Sequence, residues 1–236
     1  MLEKITQLAL LGIPLVLIQP SSSYARNPAQ HQKLPIYAQA SQSLSARLTE
    51  ADKVANKDPI AAVHLYRKVL AEIAHDEELR VQVIDKLLDT YGLATDRIIM
   101  EIQYRNTGLI GQALKFYSSL IDTPHNNRDI VAKAYLKWGI LLARMEAPTY
   151  FEDAIGKLTE AYSRGNSKIM AEAAWQLGNI YYYYTLSTGG RSPIEPTTNL
   201  RKAKKYFKEV IQLDPEGRYT QAARNLLKSD DFKKIK

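Results

Sequence analysis

From about Leu44 to Leu227 the apolar residues recur every three to four positions, the spacing that lays them along one face of an α-helix. Ala62, Leu65, Tyr66, Val69, Leu70 and Ile73 form one such set, and Leu79, Val83, Ile84, Leu87, Leu88 and Tyr91 form another. Helix-breaking residues punctuate the runs: Asp58-Pro59, Gly108, Pro124, Pro148, Gly165-Asn166, Gly189-Gly190, Pro193, Pro196 and Pro215. Proline fits the first turn of a helix, so Pro59, Pro148 and Pro196 are expected to open helices. No stretch alternates apolar and polar residues as a half-buried strand does. Tyr181–Tyr184 has strand-like propensity but continues the helical run Met170–Ile180. The pattern predicts an all-α chain. Residues 77–106 fit either one long helix or two short ones broken at Gly92, and periodicity does not choose between them.

The helical pattern repeats itself. Leu177, Gly178 and Tyr181 stand on one helix, and Ala203, Phe207, Val210 and Pro215 on the next. Trp138, Gly139 and Leu142 echo the first set. Ala154, Leu158 and Ala161 echo the second, as do Ala113, Tyr117 and Leu120, preceded by Tyr104 and Gly108, and more faintly Ala62, Tyr66 and Val69. Small residues at Gly178 and Ala203 let two helices approach, large ones at Tyr181 and Phe207 fill the space between them, and Pro215 ends the second helix. These spacings resemble the tetratricopeptide repeat, and EAYSRGNSKIMAEAAWQLGNIYY is also similar to its Sel1-like cousins. Two features depart from the pattern. Trp175 sits one place after the usual bulky position, which holds Ala174, and the loop Thr185–Thr198 is longer than a standard turn. The resemblance implies a right-handed α-solenoid of about four helix-turn-helix repeats over residues 44–228, with Tyr219–Lys228 as a capping helix and residues 229–236 as a basic tail.

The N-terminus reads differently. Lys4 and the amino terminus precede an apolar run, Leu8–Ile18, which Pro20 and Ser21–Ser23 end. Ser23 and Ala25 are small residues at the third and first positions before a cut after Ala25, so residues 1–25 are read as a secretory signal peptide. The run is shorter than the roughly 20 residues a membrane-spanning helix needs. Residues 26–43, rich in Pro, Gln, Ser and Ala, are expected to be a flexible lead-in. The expected location is therefore exported, most simply periplasmic.

Composition narrows the chemistry. The chain has no Cys, which excludes disulfides, thiolate zinc sites, iron–sulfur clusters and a Cys nucleophile. Its four His are scattered: His31 lies in the lead-in and His125 follows Pro124, while His64 and His75 are about 16 Å apart if one helix carries both. No nucleophile elbow, phosphate-binding loop or HExxH motif occurs. No catalytic residue, cofactor or metal is nominated, and the chain is not expected to be an enzyme.

Two constellations remain. Trp175 and Tyr181–Tyr184 are aromatic, with Tyr206 and Phe207 on the facing helix. Consecutive residues on a helix point about 100° apart, so four Tyr cannot all enter one core. In the repeat family the concave groove is lined by the position after the bulky one and by those four, seven and eight further on. The resemblance thus assigns the groove to Trp175, Asn179, Tyr182 and Tyr183, and in the preceding repeat to Leu136, Ile140, Ala143 and Arg144, with Tyr181 inside. It does not supply the Lys-x3-Asn clamp by which some members hold a carboxylate terminus, since only Asn179 fits. The second constellation is charge. The net formal charge is +7, and residues 200–236 carry eleven Lys and Arg against five Asp and Glu, leaving the rest of the chain close to neutral. Arg201, Lys204, Lys205 and Lys208 share one helical face, as a solvated surface, a contact for anionic lipid or glycan, or a contact for an acidic partner. The export signal argues against nucleic acid. The expected function is a scaffold or adaptor that binds a protein or peptide partner in the cell envelope. The alternative is a carbohydrate-handling or cell-wall-associated enzyme or module using the Tyr-rich groove.

Overall fold

A computed structural model describes residues 36–73, 75–100, 107–123, 127–145, 148–187, 196–233 and 235. The expected signal peptide lies outside them, as do residues 26–35. Among the described residues the chain is all-α: α1 (Ile36–Ala55), α2 (Pro59–Glu72), α3 (Glu77–Met100), α4 (Thr107–Asp122), α5 (Arg128–Arg144), α6 (Pro148–Arg164), α7 (Ser167–Ser187), α8 (Pro196–Leu213), α9 (Thr220–Leu227) and α10 (Asp230–Lys233).

The helix starts follow local chemistry. Asp58 precedes Pro59, and its side chain accepts a hydrogen bond from the Ala61 amide at 3.0 Å. Asn127 and Asn166 cap α5 and α7 in the same way, accepting from the amides two and three residues on. α6 and α8 open at Pro148 and Pro196, as the sequence predicts. Two boundaries differ from expectation. α1 begins at Ile36, well inside the stretch read as a flexible lead-in, because residues 37–48 contain neither Gly nor Pro and are rich in helix formers. Residues 230–233 form α10, so the tail is structured there, and Phe232 is buried.

The helices pack in neighbouring pairs. α1 lies on α2, α5 on α6 and α7 on α8, while α3 and α4 touch less closely. α3, α5 and α7 lie side by side, each also packing on the second helix of the pair before it. Asp52 of α1 ties three elements together by accepting from the Tyr66 hydroxyl at 2.6 Å and the Lys86 ammonium at 2.7 Å. Burial follows the echoed positions. Ala62, Ala113, Ala154 and Ala203 are fully buried, and Tyr66, Tyr117, Leu158 and Phe207 lie beside them in the core, as do Val69, Leu120, Ala161 and Val210.

The α5–α6 and α7–α8 pairs owe their close contact to glycine. A Cβ on Gly139 would lie 2.6 Å from the Leu158 side chain, and one on Gly178 would lie 2.6 Å from the Phe207 ring. In α3, which runs unbroken through Gly92, the corresponding position holds Tyr91. Its ring meets Phe116 at 5.4 Å and Tyr117 at 6.2 Å, which spaces α3 from α4. Two hydrophobic cores result, one spanning α1–α5 and one spanning α5–α10. α5 supplies Ile130, Ala134 and Leu141 to the first and Leu136 and Leu142 to the second.

Candidate partner-binding groove

The side-by-side placement of α3, α5 and α7 creates a trough, and ion pairs set the register of α3 against α5. On α3, Asp85, Asp89 and Asp96 share one face. On α5, Lys133, Lys137 and Arg144 repeat the same spacing 48 residues later. Lys133 donates to Asp85 at 2.7 Å and to Asp89 at 2.8 Å, Lys137 lies 3.0 Å from Asp89, and Arg144 lies 2.9 Å from Asp96. Glu172, Gln176, Asn179 and Tyr183 continue that face pattern on α7.

Two adjoining concavities follow these rows. One, about 760 Å³, lies toward the helix N-termini, between Asp85, Lys133, Asn166 and Glu172. The other, about 640 Å³, lies toward the C-termini, between Leu93, Asp96, Ile140, Arg144 and Gln176. Asp89, Lys137 and Glu172 line both. The turn between α8 and α9 closes one side. There Arg218 donates to Glu172 at 2.9 Å and its guanidinium lies 4.3 Å from the centre of the Tyr219 ring.

The paired charges perturb one another. Burial pushes the Asp89 carboxyl up, but Lys137 and Lys133 together outweigh it, so Asp89 stays ionised below the ordinary carboxylate range. Asp96 goes the other way, because burial outweighs Arg144 and Lys137 and raises it. Lys133 is pulled down by burial and held above its ordinary value by Asp85 and Asp89.

The expected groove residues divide. Arg144 lines the trough. Tyr183 is 60% exposed, and Asn179 is half-buried on the same face of α7. Trp175 and Tyr182 do not form an open aromatic wall, which corrects the sequence expectation. They lie seven residues apart on the face of α7 that meets α8–α10. Trp175 packs 5.5 Å from Phe207 and stacks on Tyr219 at 5.1 Å. Tyr182 is 8% exposed beneath Phe232 at 5.3 Å, and its hydroxyl donates to Asp231 at 2.7 Å. That hydrogen bond, with burial, pushes the phenol up to about 12. Tyr181 is buried as expected and stacks on Tyr206 at 6.0 Å. The side chain of Tyr184 lies outside the described residues.

The chain matches no known family model, no curated protein and no solved structure.

Of the trough's charged residues, the sequence reading singled out Arg144 alone. The signal was present in the spacing: three acids at 85, 89 and 96 return as three bases at 133, 137 and 144. The basic constellation is assembled by α8. Arg201, Lys205 and Lys208 are exposed, and Lys204 is half-buried and donates to the Phe232 carbonyl at 3.2 Å and to that of Ile235. Among the described residues no group of His, Cys, Asp and Glu is arranged to hold a metal ion, and no helix is long and apolar enough to cross a membrane.

Proposed function

We propose that this chain is an exported, periplasmic adaptor of the tetratricopeptide or Sel1-like kind, a right-handed solenoid of about four helix pairs. In it the trough across α3, α5 and α7 receives an extended segment of a protein partner in the cell envelope. The observation that carries the proposal is that α3 and α5, held in register by ion pairs, line two adjoining concavities together with α7. Its lining mixes acids and bases almost evenly, so it suits a polar segment with both charges, which exchanges partners with the ion pairs already there. Arg144, Tyr183 and Asn179 offer the contacts at the end of the trough toward the helix C-termini.

A photocrosslinking residue at Gln176, inside the trough, tests this against the same residue at the exposed Glu152 of α6. Envelope extract should give a defined adduct at position 176 and none at 152. Equal labelling at both positions, or none at 176, sinks the proposal.

A second reading, a carbohydrate-handling module, has one observation behind it. Asp89 and Asp96 line the same concavity, and their titration is pushed in opposite directions, as in acid–base pairs. Both carboxylates are held by cations, and the Trp175 and Tyr182 rings are packed against neighbours, which favours the adaptor. Release of fragments from cell-wall glycan by wild type, lost in Asp96→Asn, is the result that reverses this order.

A further inference from the structure

The positive charge of the molecule is concentrated away from the trough. Residues 200–236 carry a net formal charge of +6 out of the +7 of the whole chain. On α8, Ala203, Phe207 and Val210 are buried, so Arg201, Lys205, Lys208 and Gln212 are directed outward, where all four are exposed. Arg201 and Lys208 have no carboxylate partner among the described residues, and Lys205 has only Glu209, at 3.8 Å. The C-terminal residues fold back beside this stripe. Lys204 bonds to their carbonyls, and Ile235 joins Arg201, Lys204, Lys205, Lys208, Glu209 and Gln212 around a shallow concavity of about 430 Å³. Glu209 is the one acid among them. Its Oε2 is buried, and burial together with its charge raises the phenol of Tyr162 on α6, so it is turned toward the core.

We propose that this outer face of α8, with the C-terminal residues against it, docks on an anionic phospholipid bilayer. Charge complementarity carries the inference. The stripe runs about 16 Å along the helix, which spans several headgroups, and its cations lie open along a line instead of converging on an enclosed site. A nucleic-acid surface would interleave exposed aromatics or groove-reading polar groups among the cations. Here the aromatics of α8, Tyr206 and Phe207, turn to the core. No residue lines both this concavity and the trough, so the docked molecule keeps its trough free. The proposal is independent of the adaptor assignment.

The test is co-sedimentation of the full chain with neutral phosphatidylcholine vesicles and with vesicles containing phosphatidylglycerol, at low and high salt, alongside the triple variant Arg201→Gln, Lys205→Gln, Lys208→Gln. The full chain also carries the apolar residues 8–18, so the reading is the difference between wild type and variant and between salts. Each surface cation is worth about fivefold in partitioning, so the variant should bind anionic vesicles about a hundredfold more weakly. High salt should weaken the wild type to a similar degree, a measurement that needs no substitution. Circular dichroism melting should be unchanged in the variant, since all three residues are exposed. Binding that ignores phosphatidylglycerol, salt and the substitutions overturns the proposal. So does a variant that keeps its vesicle binding but loses retention on duplex DNA or on an acidic peptide.

Discussion

Tyr182 shows how one residue's role depends on a partner that sequence pattern does not display. Its place in the repeat frame marks it for the groove, yet its ring lies under Phe232 and its hydroxyl is spent on Asp231. Truncation is therefore a stability experiment. Tyr182→Ala should cost about 3–5 kcal/mol, whereas Tyr182→Phe, which loses only the hydrogen bond, should cost about 0.5–1.5 kcal/mol. Tyr183→Ala, at an exposed neighbour, should stay within about 0.5 kcal/mol of wild type. Denaturant unfolding of the three variants checks the order, and equal losses at 182 and 183 would contradict the placement. Asp89 sets a pH dependence. Its folded carboxyl titrates below its unfolded value, so its ion pairs stabilise the fold above the ordinary carboxylate range and lose that contribution as pH falls through the folded value. Half of its side chain is exposed, and solvent screening limits the effect to about 1 kcal/mol or less. Asp89→Asn should thus be less stable than wild type near pH 7 and converge with it in acid. A gap that stays constant from pH 7 to pH 2 would assign the loss to packing.

At the scale of elements, what was legible was whatever a short spacing encodes. The small–large–apolar triplets of α2, α4, α6 and α8 could be read because burial of each depends on its own helix and one neighbour, and all twelve residues are in the core. The Pro-initiated helices were legible for the same local reason. α3 was not resolved from periodicity, since its pair is spaced by Tyr91 and Tyr117 rings where the later pairs use glycine, and the repeat frame there has no glycine to mark it. α10 was not anticipated, because Asp-Asp-Phe-Lys reads as charged tail until Phe207 and Tyr182 are seen to offer a seat for one ring. The trough was only partly legible: the face of each helix is a matter of period, but which charges meet across it depends on register between helices. The glycine contacts give a direct check. In Gly178→Ala the new methyl meets Phe207, whose ring is hemmed in by Trp175, Tyr182 and Phe232. The variant should lose about 1–3 kcal/mol and melt earlier. The matching change at Gly92, where a Cβ would have its nearest neighbour at 3.7 Å, should be tolerated. Equal melting temperatures for the two would remove the close crossing of α7 and α8 from the account.

Over the whole molecule, α5 is the only helix whose buried side chains enter both described cores, with Trp138 packed against each. Trp138→Ala should therefore do more than lower stability: calorimetry should resolve its unfolding into two steps where the wild type gives one. A single sharp transition in the variant would show that the two cores communicate by another route. The trough crosses α3, α5 and α7, so it spans that same junction. Under the proposed function, a segment laid along it would bridge both cores as a splint, so that binding would be felt as rigidity on both sides of α5.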